Sequence, residues 1–464
     1  MSNADTAAVS TGPALAADPS ATKADLIDAS TRRKALLGSA VGSAVEWYDY
    51  FLYGTMAGLV FGPLFFPAAD PVSGQMMALA SFALAFLIRP IGGIVFSHIG
   101  DRIGRKKTLV MTLSIMGLST FGIGLMPTYD SIGIWAPVLL TLLRLLQGLA
   151  LGGEWGGGLL MAVEYSPKKR RGLYGAIPQT GALFGLALGN LTASGADAIF
   201  TNEQFMSYGW RVPFLLSVLL VGLGLWIRSA VAETPSFKKI RLENKTARVP
   251  LIETLKHHWP AVLVTIGAKF LETSSFFIFA TFSLTYAIKL GFSRGVALNA
   301  VLIAALVAIP VMLVVGAISD RIGRRKMYAA GAICMMTYAI PFFWMMNQQS
   351  TTLLILAVII GFGIIWPMYG AVLGTLFAES YPADVRYTGV SLGYQIGAAI
   401  VGGPAPLIAT WLLKEYDDSY IPIAIFIMIC GVISLISIAF SRDRHGQELD
   451  DPRPPTWNQC GTKS

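Results

Sequence analysis

Two near copies of one charged segment, Asp101-Arg-Ile-Gly-Arg-Lys-Lys107 and Asp320-Arg-Ile-Gly-Arg-Arg-Lys326, constrain this chain more than any other feature. Each copy follows an apolar run long enough to cross a bilayer, and each is itself too charged to enter one. A repeat at that separation in a chain of 464 residues indicates a duplicated membrane unit. A second repeat supports the division: Glu164-x-x-Pro167-x-x-x-Arg171 returns with identical spacing as Glu379-x-x-Pro382-x-x-x-Arg386. Only 13% of residues are charged and 54% are hydrophobic, against about 25% charged in a soluble domain, so the chain reads as a polytopic, all-α membrane protein.

Twelve mainly apolar stretches follow in order, at about 35–61, 75–97, 108–127, 134–163, 173–199, 211–232, 259–288, 296–318, 327–346, 352–378, 388–413 and 420–440. They predict twelve transmembrane helices in two six-helix halves, 34–232 and 259–440, with both termini on one side. The segment 1–33 has no apolar core and reads as a disordered tail, not a signal peptide; 233–258 is a basic linker and 441–464 a second tail. Of the 35 Lys and Arg residues, 28 fall on one face, Arg211, Lys289, Arg294 and Lys414 on the other, and Arg89, Arg144 and Lys269 within the helices. The positive-inside rule makes the crowded face cytoplasmic in a plasma (inner) membrane. The net charge of +8 therefore reports topology and contact with a lipid bilayer, and no nucleic-acid partner is expected.

The repeated charged loop resembles the motif that major facilitator superfamily transporters carry between the second and third helices of each half. That family has a Gly four residues before the Asp, which is Gly316 in the second copy and Ser97 in the first. The segments Glu46-Trp-Tyr-Asp-Tyr-Phe-Leu-Tyr-Gly54, Arg89-Pro-Ile-Gly-Gly93, Arg144-Leu-Leu-Gln-Gly148, Gly152-Gly-Glu-Trp-Gly-Gly157 and Gly209-Trp-Arg-Val-Pro-Phe214 are similar to the metabolite:proton symporter family. The resemblance implies the major facilitator fold, alternating access, and proton symport of a small organic acid, shikimate-like, dicarboxylate or aromatic. It also implies that Asp101, Arg102, Arg105, Glu164 and Arg171 meet Asp320, Arg321, Arg324, Glu379 and Arg386 as a gate on the cytoplasmic face. The alternative for any one of these is a loop charge that only fixes topology.

Ionisable groups inside a bilayer cost roughly 2.5–3.5 kcal/mol each on insertion scales, so those that remain within the helices need a reason. Glu46, Asp49 and Tyr53 share one face of the first helix; Arg144, Gln147 and Glu154 share one face of the fourth; Lys269 and Glu272 share a face of the seventh. At about 1.5 Å per residue, Arg144 and Lys269 stand near the midplane. Arg89, Arg144 and Lys269 are candidates to attract a substrate carboxylate, with Tyr53, Gln147 and Glu272 beside them. Asp49, Glu46, Arg144 and Glu154 are candidates for proton coupling, with Asp49 and Arg144 expected to meet if the family arrangement holds. The bland alternatives are that Lys269 pairs only with Glu272, and that Arg89, next to Pro90, holds helix carbonyls.

Other chemistry is absent from the pattern. Cys334, Cys430 and Cys460 give no disulfide framework or metal spacing, and the glycines of the fourth helix lack the Lys-Ser/Thr of a phosphate loop. No cofactor, metal or enzymatic cluster is expected, and a monomer is expected. Two rivals stay open. One is a proton-coupled carrier of zwitterionic osmolytes, whose osmosensing members have a long coiled-coil tail unlike 442–464; the other is a non-transporting membrane sensor on the same fold.

Overall fold

In the computed structural model, residues 29–67, 70–103, 105–152, 159–160, 162–163, 166–230, 250–382 and 385–441 are described. The expected tails, apart from 29–33 and Ser441, and the linker up to residue 249 lie outside them. Twelve long helices run among the described residues: α1 (Ala29–Leu59), α2 (Pro71–Ile103), α3 (Arg105–Leu125), α4 (Trp135–Gly152), α5 (Arg171–Ile199) and α6 (Arg211–Ala230). The second half contains α7 (Trp259–Lys289), α8 (Arg294–Ile322), α9 (Arg324–Asn347), α10 (Thr351–Ser380), α11 (Arg386–Glu415) and α12 (Ile421–Phe440).

Among the described residues, nine of these are long and apolar enough to span a membrane unaided. A tenth forms from Asn202–Gly209 and Arg211–Trp226, bent by 48° at Trp210. The remaining two are diluted for identifiable reasons. Helix α1 carries Glu46 and Asp49 in its apolar stretch, and α3 opens on Arg105-Lys-Lys107, which leaves Val110–Leu125 as its apolar part. The end of the expected polar linker is itself helical, at Pro250–His257.

Burial follows the solvent a bilayer provides. Leu142, Leu219, Leu306 and Ile436 stand exposed on the outside of the bundle, whereas Asp49, Arg89, Arg144, Lys269 and Glu272 are buried within it. Within the first half α1 packs on α5, α2 on α4 and α3 on α6; in the second α7 packs on α11 and α12, and α9 on α10 and α12. The halves meet along α5 with α8 and along α2 with α11. At the turn between α8 and α9, Gly323 adopts φ 97°, a left-handed conformation that explains the glycine in the repeated charged motif.

Small residues set the approach of α2 to α4. A Cβ at Gly92 would lie 2.0 Å from the Leu149 carbonyl oxygen, and one at Gly148 would lie 2.3 Å from that of Ala85. Backbone cannot turn aside as a side chain can, so Gly92→Val should destabilise by at least the upper end of the ~1–3 kcal/mol typical of overpacking. The thermal unfolding midpoint of the detergent-solubilised protein reads this. Gly222→Val, where nothing lies within 4 Å, should leave it unmoved.

Candidate functional site

Four helices bring charge to the centre of the bundle. Arg89 comes from α2, Arg144 and Gln147 from α4, and Asp49, Tyr50 and Tyr53 from α1, while Lys269 and Glu272 come from α7 in the other half. Tyr50 stands between two guanidinium groups: the Arg89 guanidinium carbon is 4.3 Å from its ring centroid and that of Arg144 is 4.1 Å away. Arg89 also covers Phe86 at 4.1 Å and lies 5.5 Å from Trp47; Arg144 covers Tyr53 at 4.2 Å and Phe82 at 4.9 Å. Such contacts are worth about 2 kcal/mol when desolvated and hold the cations without consuming their N–H groups. From the second half, Phe277 completes the cage against Phe82 and Phe86, and Phe276 stacks on Phe51 at 5.0 Å.

The two arginines share one unusual property. Nε and Nη2 of Arg89, and Nε and Nη2 of Arg144, are buried and make no hydrogen bond among the described residues. On a guanidinium these two nitrogens form one straight edge, the geometry that takes a carboxylate by two parallel hydrogen bonds. Through these two nitrogens Arg89 holds no helix carbonyl among the described residues. Arg144 uses its other nitrogen, Nη1, to donate to Gln147 Oε1 at 3.0 Å, and Gln147 Nε2 donates to Thr120 Oγ1 at 2.6 Å.

The remaining candidates divide. Lys269 does pair with Glu272, which also accepts from Thr273 Oγ1 at 2.7 Å, and the Lys269 ammonium lies 3.8 Å from the Tyr394 ring centroid. Tyr53 shares a hydrogen bond with Ser81 Oγ at 2.6 Å. Asp49 does not meet Arg144, a correction to the expectation. Its two carboxyl oxygens have no hydrogen-bond partner among the described residues. The reason is helical phase: Tyr50, one residue on, occupies the face that looks at the arginines. Glu46 is buried on the same helix. Glu154 and Glu164, and the side chains of Asp101, Arg102 and Arg105, lie outside the described residues. Reading charges alone missed Tyr50, Trp47, Phe82, Phe86, Phe277 and Tyr394; aromatic residues crowded around Glu46 and Arg89 in the sequence were the available signal.

The two halves touch at both ends of the bundle. On the basic face the Asp320 carboxylate accepts from the backbone N–H groups of Gly172 (2.8 Å) and Leu173 (3.0 Å), capping the first turn of α5 from the other half. Arg324 bonds Asp320 at 2.8 Å and lies 3.6 Å from Glu379, which Arg171 reaches at 3.3 Å across the seam. Arg386 donates to the Tyr381 carbonyl at 3.3 Å, and Arg321 is exposed.

On the opposite face Arg294 of α8 bonds Asp197 of α5 at 2.9 Å, and Lys414 of α11 lies 3.6 Å from Asp70 at the head of α2. Hydrogen bonds from the Ser73 hydroxyl and backbone N–H hold the Asp70 carboxyl below the usual carboxylate range, with Lys414 adding to the effect. Gln75 and Thr285 both donate to the Gly58 carbonyl between α1 and α7, at 3.0 and 3.1 Å.

The chain is similar to known proteins along most of its length. A sequence profile of the Major Facilitator Superfamily matches residues 35–406. The chain is 37% identical over 417 residues to the shikimate transporter of Escherichia coli (strain K12), covering 89% of this chain and 95% of that one. It is 38% identical over 429 residues to the inner membrane metabolite transport protein YhjE of the same organism, covering 90% and 96%. Among solved structures, a D-xylose-proton symporter superposes with a TM-score of 0.71 over 89% of this chain and 99% of that one, at 16% identity, a likeness of fold.

Proposed function

The chain belongs to the Major Facilitator Superfamily, and on that premise we propose that it is a proton symporter for a small organic anion, bound by the free edges of Arg89 and Arg144. The observation that carries this is the pair of buried guanidinium edges without hydrogen-bond partners, set in one aromatic cage at the seam of the halves. A carboxylate satisfies both the charge and the donors. The cage walls favour a flat or cyclic skeleton, and the shikimate transporter among its relatives supports a ring carboxylate. A quaternary ammonium would need aromatic faces of its own, but those of Tyr50, Tyr53, Phe82 and Phe86 already carry the arginines. That argues against an osmolyte carrier.

Asp49 is the proton-carrying group in this reading, because a carboxylate ion buried without a cation costs far more than a carboxylic acid in the same place. Alternating access breaks one set of clasps at a time: Asp320, Arg171, Arg324 and Glu379 on the basic face, or Arg294–Asp197 and Lys414–Asp70 on the other. The positive-inside rule places the basic face in the cytoplasm, and the name of the YhjE relative supports an inner membrane. A monomer suffices, since one chain completes the site.

The test is uptake into proteoliposomes of labelled shikimate, 2-oxoglutarate, citrate, proline and glycine betaine, with acid outside and at equal pH. A carboxylic acid should dominate and depend on the pH difference. Stronger uptake of betaine or proline than of any organic acid would contradict the assignment.

A further inference from the structure

We infer that the linker helix Pro250–His257 is a membrane-surface element, lying lengthwise in the headgroup layer of the leaflet on the basic face and favouring anionic lipid there. This holds whatever the substrate and whichever group carries the proton. The helix packs on α7 and α11, and the buried Thr254 marks the side it turns to the bundle. At roughly 100° per residue, Leu251, Leu255 and Ile252 fall about 60°, 100° and 160° round from Thr254, whereas Lys256 and His257 fall at about 200° and 300°. The apolar arc thus points neither into the bundle nor the way the basic residues point. Ile252 and Leu255 are accordingly 52% and 48% exposed.

The surface that this arc continues identifies its occupant. Trp259 and Leu263 stand four residues apart on one face of α7, 55% and 57% exposed, on a helix long and apolar enough to span the membrane. That face meets lipid. The joint between the two helices is short, since only His258 stands outside helical geometry, at φ −125° and ψ 16°. Its N–H donates to the Thr254 carbonyl at 2.9 Å, and its own carbonyl accepts from the Val262 N–H at 3.1 Å. Ile252 and Leu255 are therefore held at the head of a lipid-facing surface, where the chain enters the bilayer. Trp259 stands between them and the span, at the headgroup level where tryptophan is enriched.

Charge agrees with that occupant. Lys256 and His257 are exposed on the other arc, and Lys238, Lys239, Arg241, Lys245 and Arg248 precede the helix in the sequence. A negative leaflet surface attracts such residues, and a helix with Leu on one face and Lys on the other lies in the plane of the interface.

The experiment places an environment-sensitive fluorophore at Ile252→Cys, Leu255→Cys or Lys256→Cys in the full chain, with Cys334→Ser and Cys460→Ser. All three labelled positions are exposed, and Cys430 is buried and stays. The protein is reconstituted in nanodiscs of phosphatidylcholine with or without phosphatidylglycerol. Lipids carrying a nitroxide at different depths should place the labels at 252 and 255 about 5–10 Å into the boundary of headgroups and acyl chains. Acrylamide in the water should quench the label at 256 and spare the other two. Removing phosphatidylglycerol should return part of the signal at 252 and 255 to acrylamide. With the label at 252, Lys256→Gln should lower the ratio of docked to free helix about fivefold, in the anionic discs only. Labels at 252 and 255 as open to acrylamide as the one at 256 overturn the inference. Protection from both quenchers overturns it too, because protein, from the preceding segment or a second copy, would then cover the arc. Equal protection with and without phosphatidylglycerol overturns the preference for anionic lipid.

Discussion

Arg144→Lys should cut substrate uptake at least a hundredfold although it keeps the positive charge. An ammonium has no straight edge of two N–H groups, so it cannot take a carboxylate by two parallel bonds while also serving Gln147. It also loses the stacking that holds the guanidinium 4.1 and 4.2 Å from the Tyr50 and Tyr53 rings. Hydrogen bonds to charged groups contribute about 1.5–3 kcal/mol each, and about 1.4 kcal/mol is tenfold in affinity, so losing two gives at least two orders of magnitude. Initial rates of uptake at subsaturating substrate check this. If the lysine variant retains more than a tenth of wild-type uptake, charge alone suffices and the edge of Arg144 is not what grips the substrate.

The cluster at the basic face was legible in the sequence because its motifs are repeated: two copies at one spacing pointed to Asp320, Arg324, Glu379 and Arg171 before any distance was known. The inter-half contact of Glu379 with Arg171 then needed only the fold. The central site was half legible. Its charges stood out because a bilayer makes charge expensive, and Arg144, Gln147, Lys269 and Glu272 lie where helical spacing put them. The cage was not legible, since Tyr50, Phe82, Phe86 and Phe277 look like any buried aromatics until the guanidinium groups are seen on their faces. The failure of Asp49 to meet Arg144 was a matter of one helical step, about 100° of rotation, which spacing within one helix cannot fix against another.

The two halves share the repeated charged motif but not the central charges, and the proposed mechanism builds on this asymmetry. The second half neutralises its own cation, with Lys269 held by Glu272, and bends at π-helical turns in α7 (Ile278–Phe282), α10 (Ile359–Ile365) and α11 (Ala398–Gly402). The first half keeps two cations unpaired and an acid unbonded, on helices that pack through glycine contacts as close as Gly92 on Leu149. The proposed binding and coupling residues thus lie in the first half, and π-turns, which often mark functional hinges, are concentrated in the second.

Asp49→Asn follows from that division and should separate accumulation from exchange. Asparagine has the shape of the protonated acid and carries no charge at any pH. The substrate site on Arg89 and Arg144 keeps its geometry, so exchange of labelled for unlabelled substrate at equal pH should stay within a few-fold of wild type. Net concentration should not survive, because the permanent acid mimic can neither release a proton inside nor take one outside. With one proton per substrate, a pH difference of one unit stores about 1.4 kcal/mol and supports up to about tenfold accumulation. In Asp49→Asn proteoliposomes the ratio should fall to one, and the pH dependence of exchange should flatten with it. A variant that still concentrates substrate against its gradient would move the proton-carrying role away from Asp49, with Glu46 and Glu154 the next residues to replace.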